Sequence, residues 1–208
     1  MTELTVTTFV SLDGVMQAPG GPDEDPSNGF SCGGWLVPFA DADMGNFINR
    51  VFERVDAFLL GRRTYEIFAA HWPRVTDEND PVAGRLNSLP KYVVSTTLEK
   101  AEWNNSTIIS SDVVEEVRRL KARPGRELQI HGSGALARSL MAHGLIDTYH
   151  LLVFPVYLGQ GARFFPDGGA PTAFRPTETS TTSTGVVIHT FQPTGPAQYG
   201  SFALDPAE

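Results

Sequence analysis

The pattern of apolar and polar positions predicts strands and helices that alternate along most of the chain. Apolar residues alternate with others near the start, which predicts a first strand over residues 3–11. Apolar residues then recur at helical spacing, which predicts an amphipathic helix over residues 42–55. Further strands are predicted at residues 57–60, 92–95, 107–109, 127–130, 146–156 and 186–191, and further helices at 64–70, at 112–122 and over about ten residues that end at Gly144.

Two of these helices carry specific end signals. Asp112 with Glu115 three residues later resembles a capping box, in which the first side chain accepts a hydrogen bond from an amide of the first turn. Gly144 commonly ends a helix, because glycine adopts the left-handed backbone conformation without strain. We therefore predict a side-chain cap at Asp112 and a glycine stop at Gly144.

Two segments lack a regular pattern. Residues 13–38 are rich in Gly, Pro and Asp and predict a long loop, which is either a functional lid or a disordered insertion. Residues 194–208 predict a weakly ordered tail. A single domain over residues 1–193 is therefore expected.

The alternation of strands and helices predicts an α/β fold with a largely parallel sheet and helices on both faces. Its crossovers should be right-handed. Residues 146–191 contain predicted strands without a helix between them. This predicts hairpin-like strands at one edge of the sheet, with at least one antiparallel strand.

Composition narrows the classes of partner. The 208 residues carry a formal net charge of −8, which argues against nucleic acid, because phosphate contacts need clustered Lys and Arg. The single cysteine, Cys32, excludes an internal disulfide and fits a reducing compartment. The N-terminus lacks a signal-peptide pattern, and the chain lacks an apolar stretch of about 18 residues. The expectation is a cytoplasmic protein that does not contact the membrane.

A glycine turn between a predicted strand and a predicted helix is the first candidate site. Residues 132–137 read GSGALA, and glycines there let a ligand approach the backbone while amides at the helix start hold a phosphate. A tight turn without a ligand explains the pattern equally well. A standard dinucleotide fold would place an acidic residue about twenty residues later. The next predicted strand has no acid near its end at Phe154, which argues against that fold.

A pair of arginines at the end of another predicted strand is the second candidate. Gly61 ends this strand and is followed by Arg62, Arg63 and Thr64. Guanidinium groups suit phosphate, and a threonine hydroxyl either binds phosphate or caps the next helix. Taken alone, a solvated arginine pair with a capping threonine is the simpler interpretation. Together with the glycine turn, the arginines indicate a ligand with two separated phosphate groups, such as a 2′-phosphorylated dinucleotide.

Three aspartates, Asp13, Asp41 and Asp43, are candidates for the proton donor that reduction of a C=N or C=C bond requires. Structural roles are the alternative for each of them. Asp13 lies in a Leu-Asp-Gly turn, and Asp41 is suited to cap a helix. The five histidines show no metal-ligand spacing and are interpreted as surface or core residues.

Several of these motifs, in this order, resemble a known family. Residues 11–14 (SLDG), 130–134 (IHGSG) and 154–161 (FPVYLGQG) resemble the reductase domain of riboflavin biosynthesis, which is the C-terminal domain of a bifunctional deaminase-reductase. Residues 60–66 (LGRRTYE) and the segment 35–43 are more similar to dihydrofolate reductase. The resemblance covers roughly residues 3–192. It implies the dihydrofolate reductase-like fold, a mostly parallel eight-stranded sheet whose last strand is antiparallel.

The resemblance also implies NADPH as the cofactor. It implies that the 2′-phosphate and pyrophosphate side is held by Gly61, Arg62, Arg63 and Thr64. It implies that the pyrophosphate lies at a helix start formed by Gly132, Ser133, Gly134, Ala135 and Leu136. It implies that adenosine lies beside Ser95 and Thr96, and that nicotinamide is lined by Phe9, Val10 and Met16. Asp41 or Asp43 would fall near the carboxylate that dihydrofolate reductase places on its first helix.

The implied activity is hydride transfer from NADPH to a small heterocycle. The acceptor would be pteridine-like or an aminopyrimidine, as in 5-amino-6-(5-phosphoribosylamino)uracil reductases. The riboflavin reductases carry a different segment after their second strand, which helps to recognise a ribose phosphate, whereas this chain has GRRTYE. The alternative is a non-catalytic NADPH-binding or sensor protein on the same scaffold. A homodimer is expected in either case.

Overall fold

Eight strands form one sheet in the order β4-β3-β2-β5-β1-β6-β8-β7. The computed structural model describes residues 1–77 and 79–202. The strands are β1 Glu3–Ser11, β2 Val55–Gly61, β3 Lys91–Val94, β4 Ser106–Ile109, β5 Glu127–His131, β6 Thr148–Phe154, β7 Thr172–Thr181 and β8 Val187–Pro196. The helices are α1 Ala42–Arg54, α2 Arg62–His71, α3 Pro81–Ser88, α4 Val113–Ala122 and α5 Gly134–Met141, with short 3-10 turns at Ser27–Gly29, Val37–Phe39 and Trp72–Arg74.

The sheet is parallel on one side of β6 and antiparallel on the other. β1 pairs in parallel with both β5 and β6, and β2, β3 and β4 extend this parallel arrangement beyond β5. β8 pairs antiparallel with both β6 and β7. The predicted α/β fold with a mostly parallel eight-stranded sheet is therefore confirmed. β1, β2 and β5 end at the same edge, where ligands commonly bind in sheets of this kind.

The helices cover both faces of the sheet because each buries an apolar stripe. On one face, α5 packs Leu136 and Leu140 into the core together with residues of α4. On the other face, α1 packs Phe47, Val51 and Phe52 against the strands, beside residues from α2 and α3. Across the described part of the chain, no helix combines the length and apolar character needed to cross a membrane.

The sequence patterns missed two elements and misjudged one cap. The missed helix α3 has two start signals. The carboxylate of Asp80 caps it by accepting hydrogen bonds from the amides of Val82 and Ala83, and proline occupies the first helical position. The strand β7 is a largely exposed edge strand containing Pro176, so it lacks an alternating apolar pattern. The predicted capping box at Asp112 is wrong, since this residue adopts a left-handed conformation and its side chain does not cap α4.

The long loop over residues 13–38 is folded around a buried glutamine. The amide nitrogen of Gln17 donates to the carbonyls of Asp25 and Ser27, each at 3.0 Å. The Gln17 side-chain oxygen accepts the amide of Ala162 at 2.9 Å. The Trp35 ring nitrogen donates to the Gln17 carbonyl at 2.8 Å. These bonds order the loop, so the alternative of a disordered insertion is wrong.

Candidate active site

A cavity of about 640 Å³ opens at the edge where β1, β2 and β5 end. Its walls are the ends of these strands, the starts of α2 and α5, and part of the loop 13–38. The structure brings eleven of the predicted cofactor residues together in these walls: Phe9, Met16, Gly61, Arg62, Arg63, Thr64, Gly132, Ser133, Gly134, Ala135 and Leu136. The size suits a nucleotide-sized ligand, because small-molecule sites commonly enclose about 300–1,000 Å³.

Hydrogen bonds join the two predicted phosphate sites into one unit. The amide of Gly61 donates to the hydroxyl of Ser133 at 3.0 Å. The amide of Ser133 donates to the hydroxyl of Thr64 at 3.2 Å. The same Ser133 hydroxyl donates to the carbonyl of His131 at 3.2 Å. The glycine turn and the start of α2 are therefore held at a set distance from each other, although 69 residues separate them in the sequence.

Both helices at this edge begin without a side-chain cap. The residue before α2 is Gly61, which has no side chain. The residue before α5 is Ser133, whose side chain does not bond the following turn in the described chain. The first amides of a helix are orphan donors, and the helix dipole adds positive potential there. Gly132 has a φ of +59°, and a Cβ at Gly134 would overlap the sulfur of Met16. Glycine thus keeps this turn open, and two uncapped helix starts face one cavity.

Three arginines line the cavity, namely Arg62 and Arg63 at the start of α2 and Arg138 in α5. Arg63 reaches across to the loop, where it bonds the carboxylate of Asp25 at 2.7 Å and the hydroxyl of Ser27 at 3.1 Å. Burial alone would raise the pKa of Asp25, but hydrogen bonds from Ser27 and Arg63 outweigh it and lower the pKa. We call the arginines and the two helix starts together the anion section. It comprises Arg62, Arg63, Thr64, Gly132, Ser133, Gly134, Ala135, Leu136 and Arg138.

A further group of lining residues is apolar and aromatic. The ring of His131 packs against those of Phe9 and Phe68, with centroid distances of 5.5 and 5.8 Å, and Phe68 packs against Trp72 at 6.1 Å. Burial lowers the pKa of His131 to about 4, so this imidazole is neutral at physiological pH. We call these apolar and aromatic lining residues the aromatic section. It comprises Phe9, Leu36, Ile67, Phe68, Trp72 and His131.

Two buried polar atoms in the cavity walls lack a hydrogen-bond partner among residues 1–77 and 79–202. They are the hydroxyl of Thr8 and the Nδ1 atom of His131. Such groups are uncommon in folded proteins, because an unpaired buried polar atom costs about 1–3 kcal/mol. Both residues line the cavity, but these two atoms are themselves buried away from its surface.

Three predicted cofactor residues lie outside the cavity walls. Val10 is buried in the core that α4 and α5 cover. Ser95 follows β3, and its hydroxyl accepts the amides of Thr97 and Leu98 at 3.2 and 2.9 Å. Thr96 is exposed. The assignment of Ser95 and Thr96 to adenosine stays a prediction.

The three candidate acids also lie outside the cavity walls, in structural hydrogen bonds. Asp13 accepts the amides of Leu158 and Gly159 at 3.1 and 2.9 Å. Asp41 caps α1 through the amide of Met44 at 2.8 Å, and its other oxygen accepts the amide and the hydroxyl of Thr184 at 3.1 and 2.9 Å. Asp43 accepts the amide of Ser183 at 2.9 Å. Asp41 and Asp43 therefore anchor the turn between β7 and β8 to α1.

Replacing Asp41 with alanine is expected to destabilise the protein while NADPH binding is retained. The amide of Met44 and the hydroxyl of Thr184 hold the pKa of Asp41 well below its ordinary value of 3.8. A carboxylate whose pKa is lower in the folded state than in the unfolded state stabilises the folded protein. This contribution is full at pH values above the unfolded-state pKa and is lost as the pH falls through the folded-state pKa. The difference in Tm between wild type and D41A should thus be full at pH 7 and shrink progressively below about pH 4.

Thermal unfolding followed by circular dichroism across this pH range would measure that difference, with the exposed Asp167→Ala as control. An unchanged Tm at pH 7, together with loss of turnover, would instead support a catalytic role for Asp41.

Sequence reasoning missed several residues of the cavity. Phe68 and Trp72 follow the predicted Thr64 at intervals of four residues, so a helix-face pattern could have linked them to the arginine motif. His131 directly precedes the glycine turn, which places it at the same sheet edge. Glu24 and Asp25 also line the cavity, but they lie in an irregular loop without a periodic signal.

The sheet order and the cavity at its edge define a dihydrofolate reductase-like α/β protein. The model of the RibD C-terminal domain family matches residues 2–188, and the chain belongs to that family. The uncharacterized protein YyaP of Bacillus subtilis (strain 168) is 28% identical over 180 residues, which cover 86% of this chain and 88% of YyaP.

Solved structures share this fold. A protein from Shewanella sp. PV-4 named for riboflavin biosynthesis has a TM-score of 0.67 at 21% identity, covering 92% of this chain and 99% of its own. Dihydrofolate reductase from Enterococcus faecalis, complexed with NADP(H), has a TM-score of 0.56 at 14% identity, covering 92% of this chain and 96% of its own. The predicted resemblance to the riboflavin-biosynthesis reductase domain is therefore confirmed, and the resemblance to dihydrofolate reductase is confirmed for the fold.

Proposed function

We propose that this protein is an NADPH-dependent reductase that transfers hydride to a flat heterocycle of the pteridine-like or aminopyrimidine type. The observation that carries this proposal is the cavity itself. Its lining combines two uncapped helix starts and three arginines with a group of aromatic side chains. A phosphorylated dinucleotide and a flat ring need these two environments side by side. Family membership and the NADP(H) complex of a protein with the same fold add support.

The residues of the anion section fit the phosphates of NADPH. Arg62, Arg63 and Thr64 would hold the 2′-phosphate and pyrophosphate side, because guanidinium and hydroxyl donors suit phosphate oxygens. The amides from Gly132 to Leu136 would hold the pyrophosphate at the start of α5. Phe9 and Met16 would flank the nicotinamide. When bound, NADPH supplies the hydride.

The contribution of the protein to the chemistry is orientation and exclusion of water. The loop 13–38 closes one side of the cavity, and Arg63 tethers it through Asp25 and Ser27. When Arg63 binds a phosphate, it exchanges the carboxylate of Asp25 for another anion. Cofactor binding and the position of the loop are thereby linked.

The reduction also requires a proton. Asp13, Asp41 and Asp43 lie outside the cavity walls, whereas Glu24 and Asp25 are among the residues that line the cavity. Asp25 is paired with Arg63. Burial raises the pKa of Glu24 although its carboxylate accepts the amides of Gly20 and Gly21. Of the two, Glu24 is therefore the better placed acid, acting directly or through water.

Titration with NADPH and with NADH, followed by calorimetry, tests the proposal. Wild type should bind NADPH with a clear preference over NADH, because the anion section pairs with the additional phosphate. Arg62→Ala or Arg63→Ala should each weaken NADPH binding by roughly 10- to 100-fold, since a hydrogen bond to a charged group contributes about 1.5–3 kcal/mol. At least one of the two variants should lose the preference over NADH.

Arg118→Ala provides a matched control, because Arg118 lies on the exposed face of α4 and pairs with Glu115. Absence of binding to either dinucleotide would refute the proposal. Tight NADPH binding without turnover of any pterin or aminouracil would instead favour a non-catalytic binding protein.

A further inference from the structure

One face of the antiparallel part of the sheet has no helix packed over it. The strands β6, β7 and β8 are the last elements of the fold, and no helix follows α5 as far as residue 202, where the described chain ends. On one face of these strands, Leu152 and Ile188 are buried in a core that contains residues of α1. On the opposite face, Leu151 and Phe191 are only partly buried, at the border of the core that α4 and α5 cover.

This second face carries an apolar groove of about 340 Å³, which is lined by Tyr149, Leu151, Phe165, Phe174 and Phe191. The ring of Phe174 lies 5.1 Å from that of Tyr149 and 6.2 Å from that of Phe191, centroid to centroid. Phe165 adds a fourth ring at 6.3 Å from Phe174, and it is 47% exposed. A continuous exposed surface of this kind commonly marks an interaction site. We call this surface the open sheet face.

The neighbouring edge of the sheet is not suited to pair with a strand of another molecule. The edge strand β7 contains Pro176, which has no amide hydrogen to donate. The pairing of β7 with β8 also shifts register on each side of Phe174 and Arg175, between Ala173 and Phe174 and between Pro176 and Glu178. Proline and irregular pairing both protect a sheet edge from strand addition. A partner is therefore expected on the open sheet face rather than at the edge.

The lack of charge on this face favours a second copy of the same chain as the partner. The chain has a formal net charge of −8, so two copies repel each other wherever their charged surfaces meet. Among the described residues that line the groove, none is an Asp, Glu, Lys or Arg. The polar side chain beside the groove, His189, is bonded to Thr179 at 3.1 Å. An uncharged apolar face can pack against its own copy about a two-fold axis, without a complementary charge pattern.

The segment after β8 supplies the further area that a stable contact needs. The amide of Ala197 donates to the carbonyl of Pro171 at 3.2 Å, which holds the start of this segment beside the start of β7. Beyond it, Tyr199 is 82% exposed and Phe202 is fully exposed. Three strands about 4.8 Å apart and up to about 30 Å long give a face of roughly 400 Å². Two aromatic side chains that each bury about 150–250 Å² extend this to the roughly 800 Å² per partner of a standard interface.

We propose that the open sheet face is the contact surface between two copies of this chain, and that Tyr199 and Phe202 of each copy pack against the other copy. Burial of this apolar area supplies the free energy of association. The inference is independent of the proposed reduction, because the groove and the cavity at Gly132 share no lining residue in the described chain.

Sedimentation equilibrium of the full chain at micromolar concentrations tests this interface. Wild type should have twice the chain mass of 22.6 kDa. Phe165→Glu places an unpaired carboxylate in the apolar contact of both copies and should raise the dimer Kd at least about 100-fold, because burying a charge without a partner is strongly unfavourable. Val37→Glu is the matched control. Val37 is 56% exposed but belongs to a 3-10 turn of the loop 13–38 and not to the open sheet face, so this variant should remain a dimer.

Two further variants keep the test independent of the folding of Phe165→Glu, with circular dichroism to verify each fold. Thr179→Lys adds a charge at an exposed position of β7 beside His189, and it should also dissociate the dimer. The double variant Tyr199→Ala/Phe202→Ala should raise the dimer Kd at least about tenfold. A monomeric wild type would overturn the inference, and so would an unchanged dimer Kd in both Phe165→Glu and Thr179→Lys. An unchanged Kd in the double variant would remove the segment after β8 from the contact.

Discussion

Replacement of Gly132 by valine is expected to raise the Kd for NADPH at least tenfold. Gly132 has a φ of +59°, a conformation that costs an L residue about 1–2 kcal/mol and a β-branched one more. Its Cβ would face the hydroxyl of Thr64 at 3.7 Å, so the valine methyls would enter the space between the two phosphate-binding elements. Both the backbone of the turn and the approach of a phosphate would be affected.

A glycine outside the cavity separates these two effects. Gly144 has a similar φ of +62°, and a Cβ there would meet no neighbouring atom of the described chain within 4 Å. Gly144→Val should therefore lose comparable stability while it keeps NADPH affinity. Calorimetric titration of both variants, with unfolding curves to correct for the folded fraction, provides the measurement. Equal affinity in G132V and wild type would exclude the glycine turn as a phosphate site.

Replacement of Lys91 by alanine is expected to be among the most destabilising single changes in the protein, at about 2–5 kcal/mol. Lys91 is fully buried in β3. Its ammonium group donates to the carbonyls of Leu86 and Leu89 at 2.7 and 2.8 Å, and it lies 4.4 Å from the ring centre of Trp103. The alanine variant leaves a cavity and two unpaired carbonyl groups at the end of α3.

Two further variants separate volume from hydrogen bonding. Lys91→Met keeps most of the volume and should cost less, about 1–3 kcal/mol, from the unpaired carbonyls alone. Lys100→Ala is the control, because Lys100 is exposed and pairs only with Glu102 at 2.9 Å in the described chain. Urea unfolding monitored by tryptophan fluorescence gives the free energies. A loss in K91A no larger than that in K100A would contradict the assignment.

The same site predicts a pH dependence. Burial lowers the pKa of Lys91 to about 8 from its ordinary 10.5. Between these values the unfolded chain binds more protons than the folded one, so the free energy of unfolding rises with pH. Wild type should show this rise relative to K91M between about pH 8 and 10.5. A constant difference between the two proteins across this range would argue against the lowered pKa.

Local patterns were sufficient to predict most of the sheet and its parallel character. The strand β1 and the helix α1 have apolar residues at strand and helix spacing, and burial of these positions determines the secondary structure. The turn at Gly132 was predictable because its backbone conformation is local and requires glycine. The position of Arg62 and Thr64 in the cavity wall was predictable because a strand that ends before a helix places them at one edge of the sheet.

The edge strand β7 could not be read from its sequence. Its residues are largely exposed and include Pro176, and the pairing with β8 rather than burial defines it as a strand. The role of Asp41 was similarly hidden, since its partner Thr184 lies 143 residues away. The sequence left two roles open for Asp41, that of a proton donor and that of a helix cap. The long-range contact with Thr184 places it in a structural network.

The chemistry of the cavity was decided by contacts between distant segments. His131 is an ordinary residue in the sequence. Long-range packing, including the rings of Phe9, Phe52 and Phe68, buries it in the tertiary structure, and this burial lowers its pKa. Sequence alone thus determined most of the elements, the family and the motifs that line the cavity, because these depend on local spacing and backbone conformation. Tertiary structure alone decided which polar groups are committed to the fold and which line the cavity, because burial and hydrogen-bond partners arise from long-range packing.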